Sequence, residues 1–141
     1  MPSSREIHLI ARPSGMPKET DFAVVERALA EPGAGELLVR NIFLSVDPAM
    51  RPRLTSGQAL NEAMGGFALG RVEKSRHADW PEGTLVMSRA GLREAFVSDG
   101  KGLQKLEADP ALPLSVYMHA LGMTGFTAYG GLLDIAKLKD G

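Results

Sequence analysis

The sequence contains no cysteine. Disulfides, thiolate catalysis and cysteine-ligated zinc or iron–sulfur centres are therefore excluded, and a reducing compartment is the natural fit. An excess of either charge is also missing. Sixteen Lys+Arg stand against seventeen Asp+Glu, a net charge of −1. Without a basic field, nucleic acid and anionic membranes are poor partners. Nor is there an apolar run near the roughly 18 residues a membrane-spanning helix needs. The start, Met1-Pro2-Ser3-Ser4-Arg5-Glu6, has no apolar signal core. A cytoplasmic protein without nucleic-acid or membrane partners is expected. Histidine is scarce as well. His8, His77 and His119 lie far apart in no ligand spacing, so no metal is expected.

What the chain does have is a globular balance. Its 141 residues are 44% hydrophobic and 23% charged, enough for one ordinary domain with a real core. Sixteen glycines and nine prolines point to short elements joined by turns, which favours β structure. Residues 5–11 read as a strand with Ile7 and Leu9 on one face. Residues 22–29 fit strand or helix spacing; the short run ending at Glu31-Pro32-Gly33 favours strand. Residues 36–46 carry apolar side chains on both faces, the mark of a central or twice-covered strand. Asp47-Pro48 ends it, and a short helical turn is expected from Pro48. Residues 54–66 read as a loop, and residues 67–72, 84–87, 92–98 and 103–106 as further strands.

The pattern changes after Pro110. Leu114, Tyr117, Met118 and Leu121 share one helical face, and Gly122 breaks that helix. Phe126, Tyr129, Leu133 and Ala136 then mark a second amphipathic helix over 123–136.

Most familiar chemistry is absent. Gly33-Ala34-Gly35 opens like a dinucleotide loop, but it lacks the third glycine and precedes a strand. Gly100-Lys101-Gly102 fails in the same way, no Walker sequence is present, and there is no G-x-S-x-G elbow. Ser115, Tyr117 and His119 are spaced by two and do not share a helix face. Two segments remain. Ser45 to Arg51 reads either as a functional turn or as a strand end with an Asp cap and a surface Arg. Gly122 to Gly131 offers small residues at 122, 125, 130 and 131 that admit a flat ligand or another backbone.

Taken in order, these segments resemble the N-terminal part of the zinc-independent medium-chain dehydrogenase/reductases. The similarity is to the branch of leukotriene B4 hydroxydehydrogenase, prostaglandin reductases and curcumin/alkenal reductases. It rests on FLSVDPAMRPRL (43–54), GGFALGRVEKSRH (65–77), PEGTLVMS (81–88), VSDGKGLQKL (97–106) and ALGMTGFTAYGGLLDIAKLKDG (120–141). The fold it implies is mainly β, a GroES-like partly open β-barrel with two C-terminal helices. Residues 1–122 would be the substrate-side domain, and 123–141 the start of a linking helix to a Rossmann domain absent from this chain.

The resemblance further implies hydride transfer from NADPH to the β-carbon of an α,β-unsaturated ketone or aldehyde. Asp47, Met123, Thr124 and Thr127 would face the cofactor, and Met50 and Leu92 the substrate; Arg51 would be structural. The 54–66 loop would be a substrate lid. No catalytic residue is assigned, because Tyr129 falls on the apolar stripe of its helix and reads as packing. Departures from the family pattern are Thr124 for Pro, Leu92 for Trp and Ala49 for Tyr. The chain ends at Gly141, where a Rossmann strand would begin, so a catalytically silent piece is expected. Phe126, Tyr129 and Leu133 should then be exposed and promote self-association. The alternative is a stand-alone GroES-like binding or assembly module, with Leu60 or Met64 as an apolar anchor on a mobile 54–66 loop.

Overall fold

The structure is a computed structural model and describes residues 2–139. The chain divides into two compact units between Glu107 and Ala108, upstream of the 122/123 boundary read from the sequence. Residues 108–122 bond locally, through contacts such as Tyr117 Oη accepting from the Asp109 N–H at 2.8 Å.

The first unit is mainly β, as expected, and holds two antiparallel sheets without a closed barrel. The smaller sheet has the order β2-β1-β4, built from β1 (Ser3–Leu9), β2 (Phe22–Ala28) and β4 (Glu62–Ala63). The larger has the order β7-β3-β5-β6-β8. Its strands are β3 (Leu37–Leu44), β5 (Ala68–Ser75), β6 (Leu85–Ser88), β7 (Ala95–Ser98) and β8 (Gln104–Lys105). A short helix, α1 (Met50–Thr55), follows β3.

β3 is covered on both faces only along its first half. Leu37, Leu38 and Val39 are consecutive and fully buried, which requires cover on both faces because side chains alternate. β7 pairs with Leu37 to Arg40 alone. Beyond that stretch Ile42, Phe43 and Leu44 are exposed. Leu37 and Val39 pack with Val72, Trp80, Val86 and Phe96. A second cluster joins Leu9, Leu54 and Met64, with Ile7, Phe22 and Leu92 against it.

β1 differs from expectation. It starts at Ser3 and stops at Leu9, because the Ile10 and Ala11 N–H groups turn to the Asp21 carbonyl at 2.8 and 3.2 Å. Ile7 and Leu9 do join the apolar cluster, but Ser4, Glu6 and His8 on the other face are buried too. Each has a partner. Ser4 Oγ accepts from the Ala95 N–H at 3.0 Å. His8 lies between the Glu6 carboxylate at 2.8 Å and the Asn61 carbonyl at 2.9 Å. Glu6 also meets Arg93 at 3.4 Å. Buried polar groups persist when paired in this way.

The second unit contains a 3-10 turn (Leu114–Met118), α2 (Met123–Tyr129) and a π-helical segment (Gly130–Ile135). The helix expected over 114–121 is thus only a 3-10 turn. The helix expected over 123–136 starts on schedule but widens at Gly130. There the Ala136 N–H bonds five residues back, to Gly131, at 2.9 Å. Paired glycines weaken the regular ladder and allow that insertion.

Candidate functional site

One group of candidate residues, within the first unit, is built where β3 ends. The Ser45 N–H bonds to the Phe67 carbonyl at 2.9 Å, continuing the β3–β5 ladder by one residue. The Ser45 hydroxyl donates to Asp47 Oδ2 at 2.8 Å, so the half-buried carboxylate is held by the strand it leaves. Asp47 does not cap α1. Its main-chain carbonyl accepts from the Met50 N–H at 2.9 Å, and the helix has no side-chain cap. Pro48 lies in the preceding turn, not in the helix. The proline in α1 is Pro52, third in the helix, where no intrahelical donor is lost.

Met50 and Leu92, assigned to the substrate side, converge on Gly66. Met50 is only 8% exposed, and its Cε occupies the place a Gly66 side chain would take. Leu92 Cδ2 lies 3.8 Å from that same position and the Ser45 carbonyl 3.4 Å from it. Leu92 is held by its backbone: its N–H bonds to the Met64 carbonyl at 2.8 Å, and its carbonyl accepts from Ile7 at 2.9 Å. Gly91 makes the crossing possible. Its φ is +87°, and a side chain there would strike the Met64 carbonyl.

Residues 54–66 are not a free loop. Leu54 and Thr55 belong to α1, and Glu62–Ala63 form β4 against β1. Buried Gln58 braces the segment, donating to the Ala63 carbonyl at 3.1 Å and accepting from the Gly65 N–H at 3.1 Å. Arg12 donates to the carbonyls of Leu54 and Gln58 at 3.0 and 2.6 Å. Of the two residues read as an apolar anchor, Met64 is 2% exposed and Leu60 41% exposed. These contacts restrain the segment read as a substrate lid or as the loop of an assembly module. Arg51 is structural, as expected, donating to the Gly15 carbonyl at 2.6 Å.

In the second unit Met123, Thr124 and Thr127 lie together at the start of α2, all exposed. The Thr124 hydroxyl donates to the His119 carbonyl and the Thr127 hydroxyl to the Met123 carbonyl, each at 2.8 Å. Each oxygen keeps lone pairs to accept a further bond. The small residues divide. Side chains at Gly122 and Gly125 would strike the Tyr117 and Ala120 carbonyls, whereas those at Gly130 and Gly131 would meet open space. The close approach at 122 and 125 therefore belongs to this unit's own backbone. Phe126, Tyr129 and Leu133 are 73%, 62% and 43% exposed, as expected for the apolar stripe. Tyr129, read as packing, is therefore not buried by any of the described residues.

Displaced titrations occur away from these residues. Hydrogen bonds from Arg5 hold the Glu94 carboxyl below the usual range, and those from Lys101 do the same for Asp99. Among the described residues no three His, Asp or Glu side chains gather as a metal site. Sequence reasoning missed Ser45 as the holder of Asp47, Gly66 as the meeting point, and the Glu6–His8–Arg93 set. The Ser-x-Asp spacing could have revealed the first. The others depend on strand pairing.

Residues 5–106 match the family described as the N-terminal domain of oxidoreductase. The chain is 38% identical over 139 residues to the NADPH-dependent curcumin reductase of Escherichia coli (strain K12), covering 94% of this chain and 40% of that protein. It is 41% identical over 132 residues to prostaglandin reductase 1 of Oryctolagus cuniculus, covering 90% and 37%. The solved structure of CurA from Vibrio vulnificus in complex with NADPH has a TM-score of 0.83 at 37% identity, over 97% of this chain and 42% of that one. The chain spans about two fifths of the length of these relatives.

Proposed function

Because the chain belongs to the N-terminal-domain family of oxidoreductases, within the medium-chain dehydrogenase/reductases, we propose that it supplies the substrate side of an NADPH-dependent, cytoplasmic reductase. The substrates are α,β-unsaturated ketones and aldehydes, reduced at the C=C bond. The observation that supports this reading is the likeness of nearly the whole chain to CurA solved with NADPH and to an NADPH-dependent curcumin reductase.

We assign Asp47 to the nicotinamide end of such a cofactor. Asp47 Oδ2 is engaged by Ser45, and Oδ1 has no bond among the described residues, so it can accept from a ribose hydroxyl or a carboxamide N–H. In the second unit, taken by itself, the Thr124 and Thr127 hydroxyls keep acceptor lone pairs. When bound, NADPH supplies a hydride to the substrate's β-carbon. Met50 and Leu92 supply apolar contact that orients the substrate and excludes water. No dinucleotide fingerprint occurs in these 141 residues. We therefore assign the cofactor's phosphates and adenine to residues outside this chain. The 141 residues alone are expected to show no turnover, and their exposed stripe to drive self-association.

The test is NADPH oxidation by the natural gene product, purified as the cell makes it, with simple enones and enals. The saturated carbonyl should appear in step with NADP+. Absence of NADPH binding, or reduction at the carbonyl to an allylic alcohol, would overturn the reading. Sedimentation of the 141-residue chain should show concentration-dependent association, and a strict monomer would count against the sticky stripe.

A further inference from the structure

We propose that Gly66 determines specificity by setting how deeply the Met50 side chain is recessed, and so how long an apolar group the substrate carries on this side. The proposal rests on the reductase reading above and deepens it.

The Gly66 backbone cannot withdraw. Its carbonyl accepts from the Gly91 N–H at 3.1 Å, and it pairs with Ala90 in a parallel bridge. Gly66 is not among the positive-φ glycines, so its backbone conformation is open to alanine. The conflict created by a Cβ is with the Met50 methyl, the far end of a flexible side chain. The other neighbours, Ser45 O at 3.4 Å and Leu92 Cδ2 at 3.8 Å, lie at or near ordinary contact. A methyl group at position 66 therefore acts chiefly on Met50, with the Ser45 carbonyl at the edge of tight contact. Methionine is unbranched and moves without large strain, so the thioether would be displaced from a place where it is now 8% exposed. Its root lies three residues from Asp47, whose partner Ser45 also borders the recess. Leu92 packs against Leu9, Leu54 and Met64, so a displaced Met50 turns away from that cluster, toward the side on which the proposed function places the substrate's apolar tail. A single added methyl in an apolar pocket changes discrimination by roughly tenfold or more.

The experiment measures kcat and KM of the natural full-length protein with crotonaldehyde and with trans-2-octenal. Wild type, Gly66→Ala, Met50→Ala and the double variant are compared. Gly66→Ala should lower kcat/KM for octenal relative to crotonaldehyde about tenfold, mainly through KM. The double variant should recover the wild-type ratio, because the displaced group is gone. An equal loss for both aldehydes, or a double variant no better than Gly66→Ala, overturns the proposal while leaving the reductase reading intact. If Gly66→Ala does not fold, Met50→Ala alone decides: it should improve octenal relative to crotonaldehyde, and an unchanged ratio overturns the proposal. A wild-type protein that reduces neither aldehyde fails the reductase reading itself, and the recess with it.

Discussion

The two units bury apolar surface to very different extents. Residues up to Glu107 hold two apolar clusters and hydrogen bonds between distant segments, such as Ile7 N–H to Leu92 O at 2.9 Å. Among the described residues after Glu107 none is buried, although α2 and its π-helical extension carry as regular an apolar stripe as any strand. Periodicity tells which face of a segment avoids water. Whether the face is covered depends on surface contributed from elsewhere. In the first unit paired strands provide it. In the second, hydrogen bonding is local, and the stripe stays exposed.

That contrast can be broken or sharpened by substitution. The largest effect should come from the buried clusters. Leu37→Ala leaves a cavity in the larger one and should destabilise the chain by about 2–5 kcal/mol. Phe126→Ala, on the exposed stripe, should stay within about 0.5 kcal/mol. Urea unfolding reads the first by tryptophan fluorescence, since Trp80 sits in the larger cluster, and the second by far-ultraviolet circular dichroism. Similar losses would erase the distinction between the units.

Next in size is the buried polar set. Glu6→Ala strips His8 and Arg93 of a carboxylate and should cost about 2–3 kcal/mol, below the range for a fully buried pair because Arg93 is partly exposed. Glu6→Gln, which keeps one acceptor, should lose less. The same urea titration ranks them, and equal losses would show that the charge itself is what matters.

Within the second unit the glycines should give opposite signs. Gly125→Ala forces a side chain onto the Ala120 carbonyl and should lower helical content, with a cost of about 1–3 kcal/mol. Gly130 has φ −60° and ψ −42° with open space around it, so Gly130→Ala should stabilise the helix by about 0.5–1 kcal/mol. Far-ultraviolet circular dichroism against temperature separates them. A loss at both positions would mean that residue 130 is more crowded than its surroundings show.

The smallest effect is electrostatic. Glu94 is lowered by its hydrogen bonds from Arg5, which tie β1 to the residues leading into β7. A depressed carboxylate stabilises the fold above its unfolded pKa, and that contribution is lost as pH falls through the folded value. The urea midpoint of wild type should therefore exceed that of Glu94→Gln at neutral pH. The gap should close below the ordinary carboxylate range. A gap independent of pH would place the effect outside titration.

Several features were legible in the residues. The strand over 22–29, the cover on both faces of the first half of β3 and the turn at Asp47-Pro48 follow from alternation and turn chemistry, and the matched motifs led to the family. The 54–66 segment was not legible. Its polar and glycine content reads as loop, and its restraint comes from Gln58 and from Arg12, residues remote from one another in sequence. The inward face of β1 was hidden for the same reason, since Glu6 and His8 are tolerated only because Arg93 and Asn61 arrive from distant segments.

The sequence by itself determined the mainly β character, the missing metal and phosphate motifs, the family, and the position of Asp47 at a strand end. These depend on local spacing and residue type, which survive without coordinates. Only the tertiary structure decided that Met50 lies over Gly66, that Leu92 borders the same glycine, and that Ser45 holds Asp47. Each of these is a contact between groups whose separation along the chain carries no information about their distance in space.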